Sequence, residues 1–279
     1  MIINKNNILT QENKKPILYD VYYNETSEPL PLVILCHGYK GFKDWGAWHL
    51  VAEAFAEAGF CLVKFNFSHN GGTMEQPIDF PDLEAFSKNN FSLELDDLDR
   101  VLNEIKKGNK QLPKNISNIS LIGHSRGGGI VLIKAEEDSR INKVVTWAGV
   151  SDFKARFQEG TDEFKTWKET GITHVENTRT KQMLPHKFQF YRDFKENETR
   201  FSISRAAKNL KIPLLIIHGS EDPTVSLKEA KALHAWNPAS KLEVIDGADH
   251  VFNMQHPWNQ EIMPTELKNT VEVTIDFLN

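Results

Sequence analysis

The sequence predicts an α/β protein built on a single sheet, much of it parallel, and three observations carry that prediction. The apolar run Ile119-Ser120-Leu121-Ile122 passes through Gly123-His124-Ser125-Arg126-Gly127 straight into the helix-compatible stretch Gly128 to Ala135. A strand-helix-strand unit precedes it: Leu32 to Cys36 is a short apolar run, Trp45 to Ala58 has apolar residues at helical spacing and stops at Gly59, and Phe60 to Phe67 is again strand-like. Two later apolar runs, Pro213 to Gly219 and Lys241 to Ile245, each end in a polar loop that presents ionisable residues.

The remaining elements follow in chain order. Ile2 to Leu9 and Pro16 to Tyr23, separated by polar residues 10–15, read as two strands of an initial antiparallel section. Residues 68–90, rich in Gly, Asn, Pro and Asp, read as a long loop of the kind that lines a site. Ser92 is positioned to cap a helix that runs to about Lys107. Ile141 to Ala148 is a further strand. Between Val150 and about Ser202 the alternation breaks down and aromatic residues crowd together: Phe153, Phe157, Phe164, Trp167, Phe188, Phe190, Tyr191 and Phe194. This segment reads as a small cap, whose rings either shape a pocket or glue the cap to the body. Helices near Leu227 to Ala235 and Glu266 to Leu278 complete the chain.

The Gly-x-Ser-x-Gly corner at Ser125 carries the chemistry. A strand that turns at once into a helix makes a tight corner, and flanking glycines leave the serine hydroxyl exposed at a helix N-terminus. Unpaired amides and the helix dipole there favour negative charge on a bound carbonyl oxygen. Serine alone is a poor nucleophile, so the corner calls for a downstream carboxylate and then a histidine. The loop Ser220-Glu221-Asp222-Pro223-Thr224-Val225 supplies two acids, and Asp246-Gly247-Ala248-Asp249-His250 supplies a histidine, with its neighbour Asp249 and the later His256 as rivals. All three loops sit at carboxyl ends of expected parallel strands, the edge where α/β sheets bind ligands.

With these pieces, and with His37-Gly38-Tyr39-Lys40-Gly41 after the Leu32 to Cys36 strand, the chain resembles the α/β-hydrolase superfamily over nearly its whole length. Within it the chain is similar to the dienelactone-hydrolase and prolyl-oligopeptidase-like branch, especially small cinnamoyl or feruloyl esterase-type enzymes. That closer likeness rests on Phe65-Asn66-Phe67-Ser68-His69-Asn70-Gly71, on the helix start at Phe91 to Leu98, and on the insertion before the seventh strand. Ser68-His69-Asn70-Gly71 departs from the Arg-Gly-His-Gly-like turn frequent in that branch. The resemblance implies about eight mostly parallel strands flanked by helices on both faces. It selects Asp222 over Glu221 as the acid and His250 as the base. It also implies an oxyanion hole formed by the backbone amides of Tyr39 and Arg126. The Tyr39 side chain could then line the pocket, and that of Arg126 could be solvated or salt-bridged.

Composition narrows the class. The 279 residues, 40% hydrophobic and 25% charged with no linker-like stretch, are read as one domain, 1–279, with 150–202 as its cap. A net charge of −5 with scattered lysines gives no footprint for nucleic acid. No stretch reaches the ~20 apolar residues that a membrane span needs, and the first residues lack the apolar core of a signal peptide, so the expectation is a cytoplasmic protein. Cys36 and Cys61 read as buried free thiols, and the ten dispersed histidines offer no metal cluster. His37 and His124 read as histidines hydrogen-bonded to neighbouring loops, and His174, His186 and Tyr191 as surface residues, with binding of a polar substrate group as the alternative. The expected function is a cofactor-independent serine hydrolase of small-molecule carboxylic esters with small or aromatic acyl groups. Thioester, lactone or peptide cleavage, or ligand binding without turnover, are its alternatives.

Overall fold

The computed structural model describes residues 1–279. An eight-stranded sheet forms its centre. The chain enters through β1 (Ile2–Leu9) and β2 (Ile17–Tyr23), then runs through β3 (Leu30–Cys36), α1 (Trp48–Glu57), β4 (Cys61–Phe65), α2 (Leu83–Lys88), α3 (Phe91–Lys107), β5 (Ile116–His124), α4 (Arg126–Glu137) and β6 (Ile141–Trp147). A second part comprises α5 (Asp162–Thr170), the strands β7 (Ile172–Glu176) and β8 (Met183–Lys187), α6 (Gln189–Glu196) and α7 (Ile203–Asn209). The chain ends with β9 (Leu214–Gly219), α8 (Leu227–Trp236), β10 (Lys241–Ile245) and α9 (Thr265–Leu278). Strand order is β1-β2-β4-β3-β5-β6-β9-β10, antiparallel at β1-β2 and β2-β4 and parallel from β4 onward.

Buried on both faces, the parallel strands read as continuous apolar runs, and successive residues serve opposite faces. In β3, Leu32, Ile34 and Cys36 join the core on one side, beneath α3 and α4, while Val33 and Leu35 join the core beneath α1 and α9. Every residue of β9 is buried. The antiparallel start, the βαβ unit and the later strands match the sequence expectations, with ends shifted by a few residues.

Three local differences have clear causes. The cap of α3 is Asn90, whose side chain accepts from the Leu93 amide at 2.8 Å. Ser92 lies inside the helix instead, where its hydroxyl donates to Asp193 at 2.5 Å. Residues 68–90 are not one loop, since Asp82 caps the short helix α2 by accepting from the Ala85 amide. Residues 150–202 contain the β7-β8 hairpin, which the dense aromatic pattern concealed. Those rings pack tightly: Phe91 and Phe153 stack with centres 4.0 Å apart, and Phe157 contacts Phe190, Tyr191 and Phe194 at 5.3, 5.3 and 4.9 Å.

Two lysines are fully buried near the sheet's antiparallel margin. Lys43 and Lys64 both reach Asp20, at 2.9 and 2.8 Å, and both reach Asp44. Burying such charges is tolerable only because each is paired. The Lys43 amide also donates to Asn66 Oδ1 at 2.6 Å, tying the segment after β3 to the end of β4. Cys36 and Cys61 are buried free thiols. No helix is long and apolar enough to cross a membrane.

Candidate active site

Ser125 occupies the corner between β5 and α4 with φ +55° and ψ −119°, a region that costs a non-glycine residue energy. The corner is held by backbone bonds: the Ser125 amide donates to the Trp147 carbonyl at 2.9 Å, and the Ser125 carbonyl accepts from the amides of Gly128 and Val150. A side chain at Gly127 could not fit, because a Cβ there would lie 2.5 Å from the Cys36 carbonyl oxygen. Helix α4 therefore starts directly against the end of β3. The loop after β3 passes equally close, with a Cβ at Gly38 falling 2.8 Å from the Ser125 Cβ.

Asp222 and His250 converge on this corner from the ends of β9 and β10. His250 Nδ1 donates to Asp222 Oδ2 at 2.8 Å, which leaves Nε2 to accept from the Ser125 hydroxyl at 3.0 Å. The other Asp222 oxygen accepts from the amides of Thr224 and Val225, both at 2.8 Å. Burial pushes the Asp222 carboxyl up, but hydrogen bonds from His218 and His250 outweigh it and hold the group well below the usual carboxylate range. Asp222 is therefore an anion fixed on all sides. A serine, a neutral imidazole and an anion so aligned can transfer a proton from hydroxyl to ring while the ring's new charge is stabilised.

The rivals lie elsewhere. Glu221 is exposed. Asp249 closes its own loop by accepting from the amides of Val251 and Asn253. His256 accepts from the Gly46 amide at 3.0 Å and packs against Phe42 and Trp45. The amides of Tyr39 and Arg126, beside Ser125, donate to no acceptor within the protein. They are free to meet a ligand oxygen.

Two neighbouring histidines, His124 and His37, are held in neutral forms. His124 Nε2 donates to the His250 carbonyl at 2.9 Å, and burial, reinforced by the nearby His250, pushes its pKa down to about 3. His37 Nδ1 donates to the Gly38 carbonyl and its Nε2 accepts from the Phe67 amide, with burial lowering its pKa to about 4. Both match the expected structural role. His218, at the buried end of β9, donates from Nε2 to the Val225 carbonyl at 2.8 Å and lies 3.3 Å from Asp222 Oδ2.

A cavity of about 420 Å³ opens at Ser125. Five of the eight aromatic residues singled out in 150–202 line it: Phe153, Phe157, Phe164, Trp167 and Phe190. Phe188, Tyr191 and Phe194 do not; they pack behind these rings. Residues 68–90 do not line this cavity either. They brace the loop after β3 and the β7-β8 hairpin, through Phe86 against Tyr39 and His186 and through Gln182 Nε2 donating to the Phe80 carbonyl.

His186 corrects another expectation. It is buried, not superficial, because β8 turns it inward to meet the Tyr39 hydroxyl at 2.6 Å. Burial, with Arg126 adding to it, holds its pKa near 3, while burial raises that of Tyr39 to about 12. The pair is neutral. His174 is exposed and Tyr191 half-buried. Arg126 is salt-bridged: its Nη1 donates to Glu94 Oε1 at 3.2 Å. Glu94 is buried on α3, and burial raises its pKa against the pull of Arg126. The sequence pattern singled out neither Glu94 nor His218. A carboxylate among the buried positions of α3, which also include Asp97 and Arg100, and a histidine near the end of an apolar strand were the available signals. No group of three His, Cys, Asp or Glu side chains is placed to hold a metal ion.

The fold and the corner define a class. A family model described as alpha/beta hydrolase fold matches residues 31–170 and 151–257, and the chain belongs to that family. A monoacylglycerol lipase from Mycolicibacterium smegmatis is 29% identical over 115 residues, 41% of this chain. The chain spans only about a third of that relative's length, 35%. Among solved structures, Est1E from Butyrivibrio proteoclasticus aligns over 99% of this chain and 98% of its own, at 16% identity and a TM-score of 0.74. A dienelactone hydrolase from Anabaena variabilis aligns over 99% of this chain and 95% of its own, at 15% identity and a TM-score of 0.62. Esterase- and lipase-named proteins are thus its neighbours.

Proposed function

We propose that the protein is a serine hydrolase of carboxylic esters with small or aromatic acyl groups, working without a cofactor. The observation that carries this reading is the chain of contacts from Ser125 Oγ through His250 to Asp222, at 3.0 and 2.8 Å. In this mechanism His250 Nε2 takes the Ser125 proton as Oγ attacks the ester carbonyl. The carbonyl oxygen, now an anion, is met by the amides of Tyr39 and Arg126. Collapse of the tetrahedral species breaks the bond to the alkoxide, which leaves with the proton from His250, and the acyl group remains on Ser125. Water, deprotonated by His250, then releases the acid and restores the serine.

The ring-lined cavity supports an acyl group of aromatic size, since about 420 Å³ falls within the range of small-molecule pockets. Est1E has also been solved with ferulic acid bound, at 17% identity to this chain over 97% of its length. The reading takes 1–279 as one domain with 150–202 as its cap, acting in the cytoplasm on a small molecule. A panel of p-nitrophenyl esters with short aliphatic and aryl-propenoyl acyl groups tests it, beside an acyl-thioester. Ser125→Ala is expected to abolish turnover and labelling by a fluorophosphonate while the protein stays folded. Full residual activity would overturn the assignment, and turnover confined to thioesters would redirect it.

A further inference from the structure

The two residues whose amides stand free beside Ser125 also meet through their side chains. The Arg126 guanidinium carbon lies 4.4 Å from the centre of the Tyr39 ring, with Phe190 at 5.1 Å and Phe91 at 5.6 Å. Glu94, buried behind it, accepts from Arg126 Nη1 and, through the same oxygen, from Asn89 Nδ2 at 2.7 Å. The second Glu94 oxygen has no hydrogen-bond partner, so Arg126 is the sole charge that compensates this carboxylate. On the far side, the Tyr39 hydroxyl meets His186 of the cap. Tyr39 itself belongs to no helix or strand. Its amide belongs to the Gly38–Tyr39 peptide, whose carbonyl end is held by the Gly41 amide at 3.0 Å and by His37 Nδ1 at 2.9 Å, while the Tyr39 side chain is held by Arg126 and His186.

We propose that Arg126 and Glu94 are positioning residues for the oxyanion hole: the guanidinium, oriented by Glu94, stacks on Tyr39 and clamps the loop after β3 to the first turn of α4. This rests on the serine-hydrolase reading above. Donors to a developing oxyanion are effective only when fixed in advance at the place where charge appears. The bonds to the Gly38 carbonyl restrain this peptide from one end, and the stack on Tyr39 restrains it from the other, so that losing the stack would let the turn tilt and move the amide off the oxyanion in part of the population. Arginine suits the clamp because its planar face stacks while its edge donates, whereas lysine offers charge without a plane. The pairing with Glu94 leaves the cation neutralised. Its contribution is therefore orientation of the two amides.

Three proteins test this: wild type, Arg126→Met/Glu94→Gln, and Arg126→Lys. The double variant avoids stranding a buried carboxylate, and thermal melts establish that each protein is folded. Each is assayed for kcat and KM on p-nitrophenyl butyrate, for inhibition by a trifluoromethyl ketone whose serine adduct carries an oxyanion, and for inhibition by butyrate. In the double variant kcat and ketone affinity are expected to fall together by about ten- to a hundredfold, with KM and butyrate affinity within about threefold of wild type. Arg126→Lys, which restores the charge but not the plane, is expected to stay within about threefold of the double variant in kcat. An unchanged kcat with a raised KM would make Arg126 a pocket wall and overturn the clamp. Full recovery in Arg126→Lys would overturn it in favour of charge alone. A wild type that neither cleaves esters nor is labelled at Ser125 would remove the parent reading and the clamp with it.

Discussion

Glu221 and Asp222 are adjacent carboxylates with opposite surroundings, one exposed and one with a fully buried side chain held by two amides and His250. Only Asp222 can hold the imidazole tautomer that accepts from Ser125. Asp222→Asn is expected to lower kcat by roughly a thousandfold or more, because the amide can donate to Nδ1 and favours the wrong tautomer. Glu221→Gln should stay within about twofold. Steady-state kinetics on one activated ester compares the two, and equal losses would contradict this assignment. The convergence of Ser125, Asp222 and His250 was legible because each follows an apolar run and carries a short local pattern. Glu94 and His218 were not. Their importance arises from pairs such as Glu94 with Arg126, 32 positions apart, which only folding brings together.

At the scale of elements, the 150–202 segment was legible as an interruption and as a concentration of rings. Its hairpin was not, because β7 is mostly exposed and β8 is interrupted by Pro185, so neither shows a clean alternation of period two. The 68–90 stretch misled in the other direction: its glycines and prolines suggested a site-lining loop, yet Phe80 and Phe86 turn inward against Phe42 and make it a brace. Phe157 tests how far the rings act together, since it is buried among five aromatic neighbours and also lines the cavity. Phe157→Ala is expected to cost about 3 kcal/mol in chemical unfolding. It should also raise KM for an aryl-propenoyl ester several-fold more than for an acetyl ester. Equal KM changes would place the ring outside acyl recognition.

Across the whole molecule, the buried neutral histidines set an acid limit on stability. In the unfolded chain His37, His124 and His186 each take up a proton near pH 6.5. In the fold they resist until about pH 4, 3 and 3, chiefly because burial disfavours the charged ring. Between those values the unfolded state binds more protons, so stability is full above about pH 6.5 and declines toward pH 4. The decline is at most about 1.4 kcal/mol per pH unit for each ring. Urea midpoints at about pH 7 and about pH 4.5 should show the drop, and His124→Gln should make it shallower. A flat profile would mean that these rings titrate normally in the fold.

The charge cluster of buried Asp20, Lys43 and Lys64 with half-buried Asp44 has a consequence for strand pairing. Asp20 and Lys64 lie directly opposite each other where β2 meets β4, the junction at which the sheet changes from antiparallel to parallel. A slip of β2 by one residue would turn Asp20 to the opposite face and leave two lysines buried with half their partners. Apolar neighbours such as Val21 and Val63 tolerate many offsets, because hydrophobic contact has little directionality. The ionic pair tolerates one. It acts as a register key for the strand that joins two styles of pairing, and through Lys43 it fixes the start of the segment that leads back to Tyr39 and Ser125.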